Sequence, residues 1–466
     1  MQQYHSYLEE ILKGGVPKGD RTGTGTTSTF GVVRRYNISD NRLAAVQTKK
    51  LHLKTGFVEE DWMLSGDTNV KFLKENNCNI WDEWVKKGTG VYRPATLKEM
   101  ERSYKRSHFG WDEPMIGHGA LSGEGPIHRG DGFNVYERQY TGREYTHLHY
   151  ICIEDHGQML TQADRDELMR KFYTLIGIPT ETVVEGELGA VYGKMFRAID
   201  DYRVCKDDGV EAPALEKRGF ALIDELARGG LLYHRVIDQF KDLMKGLREN
   251  PDSRRHILCP WNPAYLDEQA LPPCHSFIQF WVRDLDMLER WSIMQTRYRR
   301  ARNEHVKALA NREDDKIIEF SVPEPLPMEA FSRQKNDQVS QDDELIHAYL
   351  DERQIPRRAL KCLVYMRSND AFLGAPYNLT FYSSLTHKIA HELNYYGEEL
   401  IHVVGDAHIY DNHREQVALQ LTRKSKEMPR LKINCPIGTP VLDLTWRDLE
   451  VIGYDPDPAI EAPVAV

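Results

Sequence analysis

Apolar and polar positions change period several times along this chain, and each period predicts an element. Residues 28–37 (STFGVVRRYN), 256–260 (HILCP), 274–284, 361–367 (KCLVYMR) and 400–405 (LIHVVG) carry the β-branched and aromatic density of strands. Helical spacing occurs at 66–76 and at 234–248, where Val236, Phe240, Leu243, Met244 and Leu247 recur every three or four residues. Residues 379–396 (LTFYSSLTHKIAHELNYY) predict a long buried helix. The opening MQQYHSYLEEILKGG predicts a short amphipathic helix stopped by glycines rather than a secretion signal. Strands and helices mix without regular βαβ alternation, so the expected class is α+β, in layers.

Two regions break the pattern. Residues 85–185 hold glycine-, histidine- and charge-rich runs such as GHGALSGEGPIHRGDG, and 285–357 pass from a basic helical stretch (RYRRARNEHVK) through PEPLP to an acidic one. At 466 residues the chain suits two or three average domains or one elaborated domain. A net charge of −10 argues against general nucleic-acid binding, and the arginines of 297–302 read as a solvated helix face. No apolar run approaches the ~20 residues of a membrane span. The seven cysteines are odd in number and scattered, without a CxxC pair, which fits a reducing cytoplasm better than a disulfide framework or zinc ribbon. His118, His128, His147, His149 and His156 lack metal-ligand spacing, so no metal is expected.

The chemistry gathers around LPPCHSFIQF, 271–280. A thiolate is a strong nucleophile wherever cations favour it, and two prolines stiffen the approach to Cys274. His275 follows it but lies on the opposite face of a strand, so it need not activate the thiol directly. Alone, such a cysteine is more often a small core residue. Its company matters: PDSRR (251–255) supplies Arg254 and Arg255, DRTGTGT (20–26) supplies Arg21, and MRSNDAFLGAPYN (366–378) supplies Arg367 and Ser368. Guanidinium forks and a hydroxyl suit a phosphate dianion.

These stretches, with LSGDTNVKFLKENNCNIWDEW (64–84), GAVYGK (189–194), GDAHIYDNH (405–413) and the terminal APVAV, resemble the thymidylate synthase family across 1–84, 186–284 and 358–466. The resemblance implies one catalytic domain over 1–466 with a mixed β-sheet, elaborated by large insertions at 85–185 and 285–357. It implies transfer of a one-carbon unit from 5,10-methylenetetrahydrofolate to C5 of dUMP, with Cys274 adding to C6. By the same resemblance Glu59 is the proton-relay carboxylate, Tyr192 helps remove the C5 proton, and His275 and Asn378 complete the catalytic group. Arg21, Arg254, Arg255, Arg367 and Ser368 match the phosphate set, two of the arginines crossing between subunits of an obligate homodimer. Asp370, His408 and Tyr410 match further nucleotide contacts. Ile80, Trp81, Trp84, Asp370, Leu373, Gly374, Tyr377 and Ala465 match folate contacts, the last in a tail that closes over the site. Asn378 pairs with O4 and N3–H of uracil, as an amide's donor and acceptor can; aspartate stands there in relatives that act on dCMP.

The chain also departs from the family pattern. Met195 and Phe196 follow VYGK where Gln-Trp is usual; Met366 replaces a glutamine and Tyr377 a phenylalanine; Phe381 and Ala407 stand where smaller or hydroxylated residues are common. These departures and the insertions fit a viral variant working in a host cytoplasm. They open a fork between hydride transfer, giving dTMP, and water attack, giving 5-hydroxymethyl-dUMP. Trp81 and the intact tail speak for dTMP.

Overall fold

The alternation at 28–37, 274–284, 361–367 and 400–405 becomes the spine of one mixed sheet in a computed structural model of the protein. The structure describes residues 1–85, 186–206, 210–226, 230–310, 322–335 and 338–464, with short strands at 92–94, 128–130, 133–140, 148–155 and 177–179. Six strands, β1 (Val16–Lys18), β2 (Thr26–Asn37), β3 (Ile257–Leu258), β4 (His275–Asp284), β5 (Arg358–Asp370) and β6 (Tyr396–Tyr410), lie in the order β1-β2-β6-β5-β4-β3. Only β5 and β6 run parallel; the other neighbours are antiparallel. A parallel pair needs a crossover connection, and the helix Gly374–Leu393 supplies it.

That helix is buried on nearly every side, from Ala375 to Ala390, as an all-round core helix must be. Three of its hydroxyls are satisfied within the helix: Thr380, Ser383 and Thr386 donate to the carbonyls of Pro376, Leu379 and Tyr382 at 2.9, 2.8 and 2.6 Å. Asn394 ends it in the left-handed region, φ 50°, two residues short of the predicted end. The amino-terminal helix Gln2–Gly14 buries Tyr4, Tyr7, Leu8 and Ile11.

Two expected helices are shorter than their periodicity. The strand Gly230–Ile237 takes up the start of 234–248 and leaves Val236 exposed. Asp238 then caps the helix Gln239–Glu249, accepting from the Lys241 amide at 2.8 Å, and Phe240, Leu243, Met244 and Leu247 are buried. Within 66–76 only Lys71–Glu75 is helical. Asp67 Oδ1 accepts from the amides of Thr68 and Asn69 at 2.7 and 2.9 Å, and Asn69 Oδ1 from that of Lys71 at 2.9 Å. Such side-chain turns compete with helix.

The segment 285–357 leaves the sheet at Asp284 and returns at Arg358, its cross-strand partner. Between them the helices Met287–Ala310 and Asp343–Glu352 contribute to a second core of Leu285, Ile293, Met294, Ile346, Tyr349, Leu350, Ile355 and Ala359. The arginine-rich helix is not wholly solvated. Arg290 is fully buried, donating to the carbonyls of Pro356 and Ile355 at 3.0 and 2.9 Å, and Arg300 pairs with Asp40. Of 85–185 the structure describes the paired strands Tyr92–Pro94 and Gly177–Pro179 and a three-stranded antiparallel sheet, His128–Gly130, Phe133–Tyr140 and Leu148–Asp155. The readings on His118, His128, His147, His149 and His156 fall outside the described side chains. No described helix is long and apolar enough to cross a membrane.

Candidate active site

Because β4 runs against β5 and β6, its first residues meet the carboxyl ends of that parallel pair: His275 stands opposite Met366, and Asp370 opposite His408. The start of β2 reaches the same end through Thr26, opposite Tyr410, so the 20–26 loop arrives there too. Gly25 in that loop is left-handed at φ 82°, and a Cβ on it would strike the Asp411 carboxylate.

Cys274 sits just ahead of β4 on a clamped backbone. The Arg367 amide donates to its carbonyl at 2.9 Å, and the Arg367 guanidinium donates to the carbonyls of Pro273 and Pro272, both at 2.8 Å. From the other side the Tyr192 hydroxyl accepts from the amides of Cys274 and His275 at 2.8 and 3.3 Å. Burial pushes the Cys274 thiol up, and the Arg367 charge opposes it. Arg367 thus has a structural task beside the expected phosphate contact.

His275 is buried. Its Nε2 accepts from Asn378 Nδ2 at 2.9 Å, and its Nδ1–H donates to Tyr382 Oη at 2.8 Å. Burial pushes its pKa down to about 3, so the ring is neutral. Asn378 Oδ1 in turn accepts from Asn369 Nδ2 at 2.8 Å.

Beside Tyr192 the Trp81 indole donates to Glu59 Oε1 at 2.9 Å. Burial pushes Glu59 up to about 7 against that bond, a value that allows both gain and loss of a proton near neutrality. Trp81 lies 5.5, 5.8 and 6.1 Å from the rings of Trp62, Trp84 and Tyr192, edge or tilted arrangements that aromatic quadrupoles favour. The next two acids are structural: Glu60 and Asp61 meet the buried Lys388 at 3.3 and 3.0 Å.

Of the remaining predicted residues, those on β5, β6 and the turns beside them lie at this end of the sheet, whereas Arg254 and Arg255, next to β3 whose Ile257 pairs with Gln279, lie further along it. Arg21 is exposed in its loop, and Ser368 is half-buried on β5. Asp370 Oδ1 accepts from the amides of Phe372 and Leu373 at 2.9 and 3.0 Å, fixing the turn that leads to Gly374. His408 packs edge-on against Tyr410 at 5.1 Å. Tyr377 accepts from the His52 amide at 3.4 Å, and Ile80 is exposed. Ala465 lies outside the described residues, but Pro463 just before it accepts from His413 Nε2 at 2.7 Å, and His413 stands 4.0 Å from Asp370. Arg254 and Arg255 are exposed beside β3, their guanidinium groups without a partner among the described residues.

Several participants escaped the sequence reading. Asp406 accepts from His408 Nδ1 at 3.1 Å and Ser28 Oγ at 2.8 Å; the His408 bond leads in holding its carboxyl well below the usual range. The spacing GDAH carried that signal, since residues two apart on a strand share a face. Asn369, Tyr7 and Tyr382 left none. Lys49 donates to the Phe372 carbonyl, and burial lowers it to about 7 against the pull of Asp370. The departures Met195, Phe196, Met366, Phe381 and Ala407 are all buried. Two of them pack against site residues, Phe196 at 6.3 Å from Tyr192 and Phe381 at 6.1 Å from His275.

Comparison with known proteins identifies the family. The thymidylate synthase family model matches residues 2–301 and 344–466. A protein named thymidylate synthase from Listeria innocua serovar 6a is 29% identical over 468 residues, with both chains covered in full. Another of that name from Staphylococcus haemolyticus is 29% identical over 463 residues, covering 99% of this chain and 98% of its own. Matched over most of its length, this chain belongs to the thymidylate synthase family and is, by that membership, a transferase.

Proposed function

We propose that the protein transfers the one-carbon unit of 5,10-methylenetetrahydrofolate to C5 of dUMP, giving dTMP, through a covalent adduct at Cys274. The observation that carries this reading is the hydrogen-bonded cluster that ties Cys274, Tyr192, His275 and Asn378 together at one end of the sheet. In this reading the Cys274 thiolate adds to C6 of the uracil ring, and Asn378 faces O4, where negative charge develops. Tyr192 touches the Cys274 backbone and packs against Trp81, which holds Glu59, a carboxyl poised to exchange protons near neutrality.

The folate supplies the one-carbon unit and, at the end, the hydride. The residues expected to meet the folate suit such a ring system: Ile80, Trp81, Trp84, Leu373 and Tyr377 are apolar or aromatic, Trp81 and Trp84 pack at 5.8 Å, and the Trp84 indole N–H is buried without a partner among the described residues. Docking of the terminal segment on His413 beside Asp370 supports a tail that excludes water, which favours hydride over water attack.

A homodimer is part of the proposal. One face of the sheet is covered by the crossover helix, while Phe30, Val33 and Trp281 on the sheet are 82%, 48% and 51% exposed. Exposed apolar residues of this size suit a second copy of the chain, and the unpartnered Arg254 and Arg255 suit phosphate contact across that interface.

Mass spectrometry of the product formed from dUMP and methylenetetrahydrofolate tests the reading. A product heavier than dUMP by one CH2, with dihydrofolate formed, is expected. A gain of one CH2O with tetrahydrofolate released would assign hydroxymethylation instead. Base recognition has its own test: Asn378→Asp exchanges an amide donor for an acceptor, and steady-state rates with each nucleotide should shift preference from dUMP toward dCMP. An unshifted preference would remove Asn378 from base recognition.

A further inference from the structure

An asparagine amide has two acceptor positions on Oδ1 and two N–H groups on Nδ2. In Asn378 one of each is already taken: Oδ1 accepts from Asn369 at 2.8 Å, and Nδ2 donates to His275 at 2.9 Å. The acceptor and the N–H that remain complement N3–H and O4 of uracil. Turned over about its last torsion, the same amide would present an acceptor to the amino group of cytosine and a donor to its N3. The rotation by itself exchanges the base that fits.

In the structure the donors run one way along a chain that holds the amide in the first of these rotations. Tyr7 Oη donates to Asn369 Oδ1 at 3.1 Å, Asn369 Nδ2 to Asn378 Oδ1, Asn378 Nδ2 to His275 Nε2, and His275 Nδ1–H to Tyr382 Oη at 2.8 Å. Tyr7, Tyr382, Asn369 and His275 are all buried, Asn369 only 3% exposed, so a misdirected bond is left unmade rather than passed to water.

We propose that Asn369, with Tyr7 behind it, is a specificity-positioning residue: its amide N–H pins Oδ1 of Asn378 and so commits the site to uracil rather than cytosine. The inference rests on the reading of Cys274 and Asn378 as parts of a pyrimidine nucleotide site. His275 serves the same end by staying neutral, since a protonated ring could not accept from Asn378.

The test is the ratio of kcat/KM for dUMP to that for dCMP, which the fraction of folded protein does not move. In Asn369→Asp the carboxylate can only accept, from Tyr7 and from Asn378, which forces the amide over. The ratio should fall about 10- to 100-fold, with dCMP turned over faster than by the wild type. Asn369→Leu removes the donor without imposing the reverse orientation, and a fall of roughly 3- to 10-fold is expected. Tyr7→Phe frees Asn369 itself to turn and should act in the same direction, more weakly. If the aspartate variant does not fold, the leucine and phenylalanine variants carry the test. A wild type active on dUMP, with the ratio unchanged in the folded variants, overturns the role of Asn369 alone. A wild type that turns over neither nucleotide overturns the nucleotide-site reading and this inference with it.

Discussion

Cys274→Ser is expected to lose at least ~10³-fold in turnover while binding dUMP within about threefold of the wild type. The reason is that the backbone at 274 is held from both sides independently of sulfur. Arg367 grips the carbonyls of residues 272 to 274, and the Tyr192 hydroxyl takes the amides of residues 274 and 275. A serine oxygen therefore occupies nearly the position of Sγ. It lacks nucleophilicity, because an alcohol does not ionise where even the thiol is pushed up by burial and relieved only by Arg367. Calorimetry with dUMP and a turnover assay on one preparation separate the two effects. Retained turnover would sink the nucleophile assignment, and lost binding would mean that the clamp depends on the cysteine itself.

The second large effect concerns stability. Lys388 is fully buried on the crossover helix and faces Glu60 and Asp61, with Asp61 also accepting from the Trp446 amide at 2.6 Å. Lys388→Met keeps the volume and removes the only charge shown to compensate these acids among the described residues. A loss of about 3–5 kcal/mol in unfolding free energy is expected. Glu60→Gln with Asp61→Asn in the same chain should return most of it, because the buried charge goes with them. The pH dependence has a definite sign. Burial raises Glu60 to about 7 and raises Asp61 as well, so between the ordinary carboxylate range and neutrality the folded state holds more protons than the unfolded one. Stability contributed by these groups therefore falls as pH rises through that window. Without Lys388 the folded values climb further, and the deficit of the variant should be larger at pH 8 than at pH 5. Urea unfolding at the two pH values checks this; a loss below ~1 kcal/mol at both would show the cluster to be solvated.

That ion cluster also marks how far the sequence could be read. The strands around Cys274, Arg367 and His408 were legible because alternation and β-branched density are local signals. The core helix was legible because its apolar run is long. Val236 misled because one apolar residue a turn ahead of Phe240 fits helical spacing by accident, while the Asp238 cap settles where the helix starts. In sequence, Glu60 and Asp61 only extend an acidic run that begins at Glu59. Their partner lies 327 positions away from Asp61, and no local pattern names it. The same holds for Asn369 and Tyr7, joined across 362 positions. Of the candidate site, residue types and order were visible in the motifs. The direction of each hydrogen bond was not, because it is set by neighbours that meet only when the sheet forms.

The ladder between β4 and β5 carries a last consequence. Asp284 and Arg358 face each other across paired strands, so the sheet is indifferent to the length of chain between them. Loop-closure entropy grows only logarithmically: replacing a short turn by a segment of this size costs about 2–3 kcal/mol for a flexible chain. The second core around Ile346 and Leu350 packs the described helices of this segment together and offsets that cost. The catalytic end of the sheet lies at the opposite end of these strands. The joint at 284 and 358 is therefore a place where the molecule can gain or lose a module while the geometry around Cys274 stays as it is.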